Sequence, residues 1–261
     1  MKLVKRIKRS KYALLSKVIP IALFAAGLKF ICSYLGFEPL PKEMISLFPS
    51  VLTGIIFLLG FLLAGVVTDY KESEKIPNDI VASLYIIWQE AEFVLRSTKS
   101  DAAKDLMMKL KNFVPAFRES YFFNKDKTIL NYINSFTDDF LKMEKEIIPA
   151  GLIRVRNEQS NLKKSINRIT VIKETNFAPS VFAMIKLIVI IFIIMYILLH
   201  AEPWWGGMIV VAFFSFLLST VVFLIDDLDD PFEYDMDGKN PDEINFNILF
   251  EFHNEINKAN L

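Results

Sequence analysis

Charged residues vanish from the chain between Glu43 and Asp69 and return at once in Asp69-Tyr70-Lys71-Glu72-Ser73-Glu74-Lys75. A helix over 44–68, rising about 1.5 Å per residue, is roughly 37 Å long and crosses a hydrocarbon core of about 30 Å with some tilt. Three further stretches repeat the pattern. Residues 18–36 are apolar apart from Lys29, and 177–199 are Ile-rich and interrupted only by Lys186. Residues 203–225 are uncharged and open on Trp204-Trp205, as an interfacial aromatic anchor does. The pattern predicts an all-α integral membrane protein with four transmembrane helices.

Between the second and third spans the periodicity changes. Val81, Leu84, Tyr85, Trp88, Ala91, Val94 and Leu95 recur at three- and four-residue intervals, as do Leu106, Leu110 and Phe113, then Ile129, Ile133, Phe136 and Phe140. That spacing places each set on one face of an amphipathic helix. Pro115 and Pro149 are read as breaks between helices. The organisation expected is a basic N-terminus with a first transmembrane hairpin (1–68), a long cytoplasmic helical region (69–176), a second hairpin (177–225) and an acidic cytoplasmic tail (226–261).

Composition supports the division. Of the 261 residues, 53% are hydrophobic, yet 23% are charged, more than a chain confined to lipid would carry. The net charge of zero conceals an asymmetry. Lys2, Lys5, Arg6, Lys8, Arg9, Lys11 and Lys17 precede the first span with no acid among them, whereas acids dominate from Asp226 onward against only Lys239 and Lys258. The basic cluster holds the N-terminus in the cytoplasm, and Arg154, Arg156, Lys163, Lys164, Arg168 and Lys173 before the third span agree with it. Both termini are then cytoplasmic, and 37–43 and 200–202 are short external loops. A cleaved signal peptide, with small residues at Ala25-Ala26-Gly27, competes for the N-terminus. Lys29 and Cys32, however, lead into more apolar sequence, not into a polar mature start. The single cysteine rules out an internal disulfide.

Catalytic signatures are missing: there is no Gly-rich phosphate loop, His-Glu-x-x-His, Cys-x-x-Cys or nucleophile elbow. His200 and His253, the only histidines, lie far apart without ligand-spaced neighbours. An enzyme is not expected. No nucleic-acid partner is expected either, because membrane orientation accounts for the basic clusters.

Three features carry candidate function. Thr53, Phe57 and Phe61 share one face of the second span, and Gly54, Gly60, Ala64 and Gly65 supply small residues for close helix approach. In an oligomer the bulky stripe can form a hydrophobic constriction and the small one a subunit contact; ordinary lipid-facing surface is the bland alternative. Lys29 and Lys186 are ionisable groups within spans, candidates for attracting anions. The acidic run from Asp226 to Gly238 can offer oxygen ligands to Ca²⁺, although its spacing is not that of an EF-hand, and a solvated strip pairing with the basic N-terminus explains it equally.

These residues together resemble the bestrophin channel family. The local match is strongest over 54–79 (GIIFLLGFLLAGVVTDYKESEKIPND), with a Phe-x-x-Gly-Phe element at Phe57–Phe61 and a Glu-x-Leu-Pro-like exit at Glu74–Pro77. A second match lies in 227–246, where Asp230-Pro231-Phe232 followed by Glu233, Asp235 and Asp237 echoes the family's Asn-Pro-Phe and acidic cluster. The order of parts fits as well. The resemblance implies a homopentameric, chloride-type anion channel conducting inorganic ions across the lipid bilayer, and the Lys-, Ile- and Phe-rich composition points to the plasma (inner) membrane of a microbe. It implies Phe57 and Phe61 as an apolar neck with Thr53 in the preceding turn. It also implies Ca²⁺ bound by the side chains of Asp235 and Asp237 and the carbonyls of Asp227 and Asp230. Two departures stand out. The Phe-Arg-x-Asn-x-Ala-Tyr-x-Arg-Trp-Trp stretch is replaced by Val67-Thr68-Asp69-Tyr70-Lys71-Glu72, and Tyr234 and Met236 interrupt the acidic run. The rival expectation is a membrane-anchored interaction or signalling protein whose cytoplasmic helices bind a partner and which has no pore.

Overall fold

The computed structural model describes residues 13–123, 126–174, 179–229, 231–232 and 244–258. They are all-α, with no strand among them beyond an isolated bridge between Leu40 and Leu199. They divide into two compact units, one holding the described residues within 1–70 and 176–231, the other those within 71–175 and 232–261.

The first unit contains α1 (Ala13–Tyr34), α2 (Phe48–Ser73) up to Tyr70, α8 (Pro179–Leu198) and α9 (Trp204–Asp229). All four are long and apolar enough to cross a membrane. Lipid offers no hydrogen-bond partners, so each span must satisfy its backbone internally, which a continuous helix does. α1 lies against α9 and α8. α2 is held by one face: Ile55, Leu59, Leu62 and Val66 pack with Ile185, Val189 and Phe192 of α8 and Leu218 and Ile225 of α9. At its entry Phe48 meets Phe192 and Tyr196, with ring centroids 5.6 and 4.9 Å apart. The uncharged run begins at Met44, but Lys42–Leu47 forms a 3-10 turn and α2 proper starts at Phe48, then continues past Thr68 to Ser73.

The end of α1 is a Schellman motif. Gly36 takes φ +65°, a left-handed conformation that costs glycine nothing. Its N–H bonds to the Ser33 carbonyl and that of Phe37 to Cys32, returning two orphan carbonyls to partners. The chain thereby doubles back toward α1. Leu40 then donates to Leu198 (3.3 Å) and accepts from His200 (2.9 Å), stitching the α1–α2 connection to the end of α8.

The second unit takes α3 (Ile76–Thr98), α4 (Asp101–Phe123), α5 (Asp126–Asn134), α6 (Phe136–Met143), α7 (Pro149–Glu174) and α10 (Asn247–Lys258). The stripes anticipated from periodicity form its core. Leu84, Ala91, Val94, Leu106, Leu110, Phe113, Ile129, Ile133, Phe136 and Phe140 are all buried. α10 adds Leu249, Phe252 and Ile256. Pro77 and Pro149 sit in first helical turns, where a missing N–H costs nothing.

Pro115 is a correction. It lies inside α4 without ending it. Phe113, Val114, Phe117 and Tyr121 on both sides of it are buried, and that packing overrides the local propensity. α4 runs on to Phe123, and a further break, between α5 and α6, falls at Ser135, whose hydroxyl donates to the Tyr132 carbonyl (2.7 Å) while its own carbonyl accepts from Lys109 (3.0 Å). Lys109 also reaches the buried Asp139 (2.6 Å), so this corner is fixed by charge as well as by apolar contact.

Gly207, near the start of α9, has no room for a side chain. A Cβ there would stand 2.7 Å from the Ala201 Cβ and 3.1 Å from the Lys29 Cε. Overpacking at such a point costs about 1–3 kcal/mol. Gly207→Ala is therefore expected to lower the thermal midpoint of the detergent-solubilised protein. Gly54→Ala, whose Cβ meets nothing within 4 Å, serves as the control and should leave the protomer's midpoint unchanged.

Candidate functional site

One face of α2 is packed and the other is bare. On the bare face Phe57 and Phe61 are 73% and 68% exposed, among the highest values for large apolar residues of the span. Thr53 lies one turn earlier and is also exposed. Its hydroxyl donates to the Pro49 carbonyl (2.8 Å), so the group turned outward is not a free donor. The three predicted neck residues do lie together along one exposed face.

The small residues are arranged differently from a separate stripe. At about 100° per residue, Gly54 and Gly65 fall on one flank of the Phe57–Phe61 line and Gly60 on the other, with Ala64 between. A Cβ added at Gly54 or Gly60 would meet nothing. Nothing within the protomer demands glycine there.

Lys29 is fully buried near the end of α1. Its ammonium donates to Glu38 Oε1 (2.8 Å) and to the Leu199 carbonyl. Glu38, 7% exposed, turns its other oxygen to His200 Nδ1 (2.6 Å). The second ring nitrogen, Nε2, faces Glu202 Oε1 (3.3 Å), and Lys42 stands 4.0 Å from that carboxylate. Burial pushes the Glu38 carboxyl up, but the hydrogen bond and charge of Lys29, with help from His200 and Ser33, outweigh it and hold the group below its ordinary value. Hydrogen bonds to Glu202 and Glu38 raise His200 above its own. The charge of Lys29 is thus paired with that of Glu38.

Lys186 reaches Asp226 Oδ1 (3.1 Å) and lies 4.1 Å over the Phe182 ring, partly exposed, as a snorkelling lysine does. Asp227 sits 3.9 Å from Lys17. The other residues assigned to Ca²⁺, Asp230, Asp235 and Asp237, lie outside the described residues. Among the described residues no group of three His, Cys, Asp or Glu side chains is arranged to hold a metal ion.

Glu38 and His200 escaped the sequence reading. The available signal was Lys29 itself: a lysine within a span, close to its end, needs a carboxylate, and the nearest acid beyond that span is Glu38.

No protein-family model matches the sequence, and no curated protein matches it. Solved structures do match its fold. A bacterial bestrophin homologue from Klebsiella pneumoniae carrying a tryptophan-to-alanine substitution aligns with a TM-score of 0.75 at 14% identity, covering 94% of this chain and 96% of that one. A tyrosine-to-alanine variant of the homologue gives 0.74 at 14%, covering 93% and 97%. A further structure of that homologue gives 0.69 at 12%, covering 94% and 95%. The chain has a bestrophin-like fold and is an integral membrane protein.

Leaving Lys29 buried without its carboxylate is expected to cost about 3–5 kcal/mol, because an unpaired charge then remains in an apolar setting. Glu38→Leu should lower the unfolding midpoint markedly. Combining it with Lys29→Met should restore most of the loss, and the coupling is read from the double-mutant cycle. Additive losses would show that the pair contributes no mutual stabilisation.

Proposed function

We propose that the protein is an oligomeric ion channel of the bestrophin type, with a central pore lined by the bare face of α2. The observation that carries this reading is the combination on that helix: a packed apolar face, and opposite it two exposed phenyl rings flanked on both sides by glycines. Lipid-facing surface gains nothing from missing side chains, whereas helix–helix contacts in membranes are built on small residues. A helix in a closed ring has two neighbours, so small residues on both flanks suit it. The rings between them then point to the axis.

In this arrangement Phe57 and Phe61 form an apolar neck, with Thr53 in the preceding turn. A narrow apolar constriction resists wetting, and ions, which must keep or replace their hydration, cross it only when water does. No covalent chemistry is required. The bestrophin resemblance favours a pentamer and anions such as chloride, and the Lys-, Ile- and Phe-rich composition favours a microbial plasma membrane, with both termini in the cytoplasm. The order of basic clusters supports that orientation.

The mass of the protein component in the detergent-solubilised particle tests the assembly. A five-fold multiple of the 30.1 kDa chain is expected, and a monomer or dimer would remove the central pore and favour the anchored interaction protein. Gly60→Leu should leave each protomer folded and helical but reduce the assembled fraction.

In liposomes, Phe57→Ala combined with Phe61→Ala is expected to raise anion flux several-fold by widening and wetting the neck. Unchanged flux in the double variant would remove these two residues from the neck.

A further inference from the structure

His200 stands between two carboxylates. Its Nδ1 is 2.6 Å from Glu38 Oε2 and its Nε2 is 3.3 Å from Glu202 Oε1. Ionised carboxylates only accept hydrogen bonds, and a neutral imidazole carries one N–H. Neutral His200 can therefore serve one of these partners while presenting a lone pair to the other. Only the imidazolium, with two N–H groups, satisfies both. The arrangement selects a protonation state by geometry alone.

The position of this group gives the selection a consequence. Glu38 belongs to the connection between α1 and α2, and Glu202 to that between α8 and α9. The backbone of His200 donates to Leu40, and that of Leu40 to Leu198, so His200 is itself part of the backbone stitch between the two connections. Pro41 and the Lys42–Leu47 turn follow directly and lead into α2. Lys29 behind Glu38 keeps that carboxylate charged and in place, and Lys42 lies beyond Glu202. Glu38 is thus a fixed acceptor, and the histidine is the partner that changes.

We propose that His200 is a proton-operated clasp, closed by the imidazolium between Glu38 and Glu202 and loosened on deprotonation, which sets how firmly the lead into α2 is tied to the α8–α9 connection. The proton is the ligand. The sign follows from the two groups. His200 is raised above its ordinary 6.5, so its contribution is full below that value and is lost as pH rises through the raised one. Glu38 is lowered from 4.5, so its contribution is full above that value and is lost only as pH falls through the lowered one. The clasp is complete in mildly acidic solution and opens toward alkaline pH.

The clasp stands on the fold alone; an effect on conduction rests also on the pore reading above. His253→Gln leaves one imidazole in the full-length, detergent-solubilised protein, and its carbon-bound ring protons are followed by NMR across the pH range. A titration midpoint above 6.5 is expected, moving down when Glu202→Gln is added. A midpoint at or below 6.5, or one indifferent to Glu202→Gln, overturns the clasp. The thermal midpoint of the parent protein should fall between about pH 6 and about pH 8.5, on either side of the ordinary histidine range. That fall should be smaller in His200→Gln, and an equal fall in both overturns the proposal. Liposome flux under the same two conditions separates the two readings. If the ring titrates as expected and no flux occurs at either pH, the pore reading fails and the clasp stands.

Discussion

Placing one positive charge in an apolar setting constrains the whole first unit. A buried ammonium is tolerated only when its donors are met, and the Lys29 ammonium finds them in Glu38 and the Leu199 carbonyl. Bringing Glu38 there requires the chain to reverse at Gly36. Bringing the carbonyl there requires α8 to end at Leu198, beside the returning strand of chain at Leu40. The lysine stem, together with Ala201, then fills the space that a Cβ at Gly207 would need. Helix ends, connection and glycine are thus consequences of one electrostatic demand.

α2 takes its position from that arrangement. Its entry follows the stitched connection, and its inner face is keyed to α8 and α9 through Ile55, Leu59, Leu62 and Val66. Lipid tails are as apolar as leucine, so burial supplies no drive to cover the remaining face. What distinguishes that face is shape, with rings in the middle and missing side chains at the flanks. Shape decides what can pack there closely.

Much of this was legible in the sequence, for physical reasons that differ by element. The four spans follow from hydrocarbon thickness, which sets the length of the apolar runs at 18–36, 44–68, 177–199 and 203–225. The core of the second unit follows from helical period. Pro115 misled because buried aromatic packing carries α4 through it, and the stripe from Ile129 to Phe140 is shared between α5 and α6 because Ser135 diverts the backbone between them. The line of Thr53, Phe57 and Phe61 and the glycines on both its flanks follow from helical period, but that this face is the bare one emerged only once the packed face was known. The charged clasp was hardest to read. Lys29 meets Glu38 nine residues away and Leu199 170 residues away, a closure that no local pattern encodes.

The two lysines within spans show why residue type alone does not assign a role in a membrane. Lys186 lies within reach of an end of its span, keeps partial exposure, rests on Phe182 and meets Asp226 beyond the apolar run. An exposed pair of that kind contributes about 1 kcal/mol or less. Lys29 also lies close to the end of its span, yet it is fully enclosed with its carboxylate. Both charges are therefore matched by acids of the same unit, and neither presents an uncompensated field along the membrane. If ions cross beside α2, the radius and wetting of the space around Phe57 and Phe61 set the barrier, and each of the two lysines acts together with the carboxylate it is paired with.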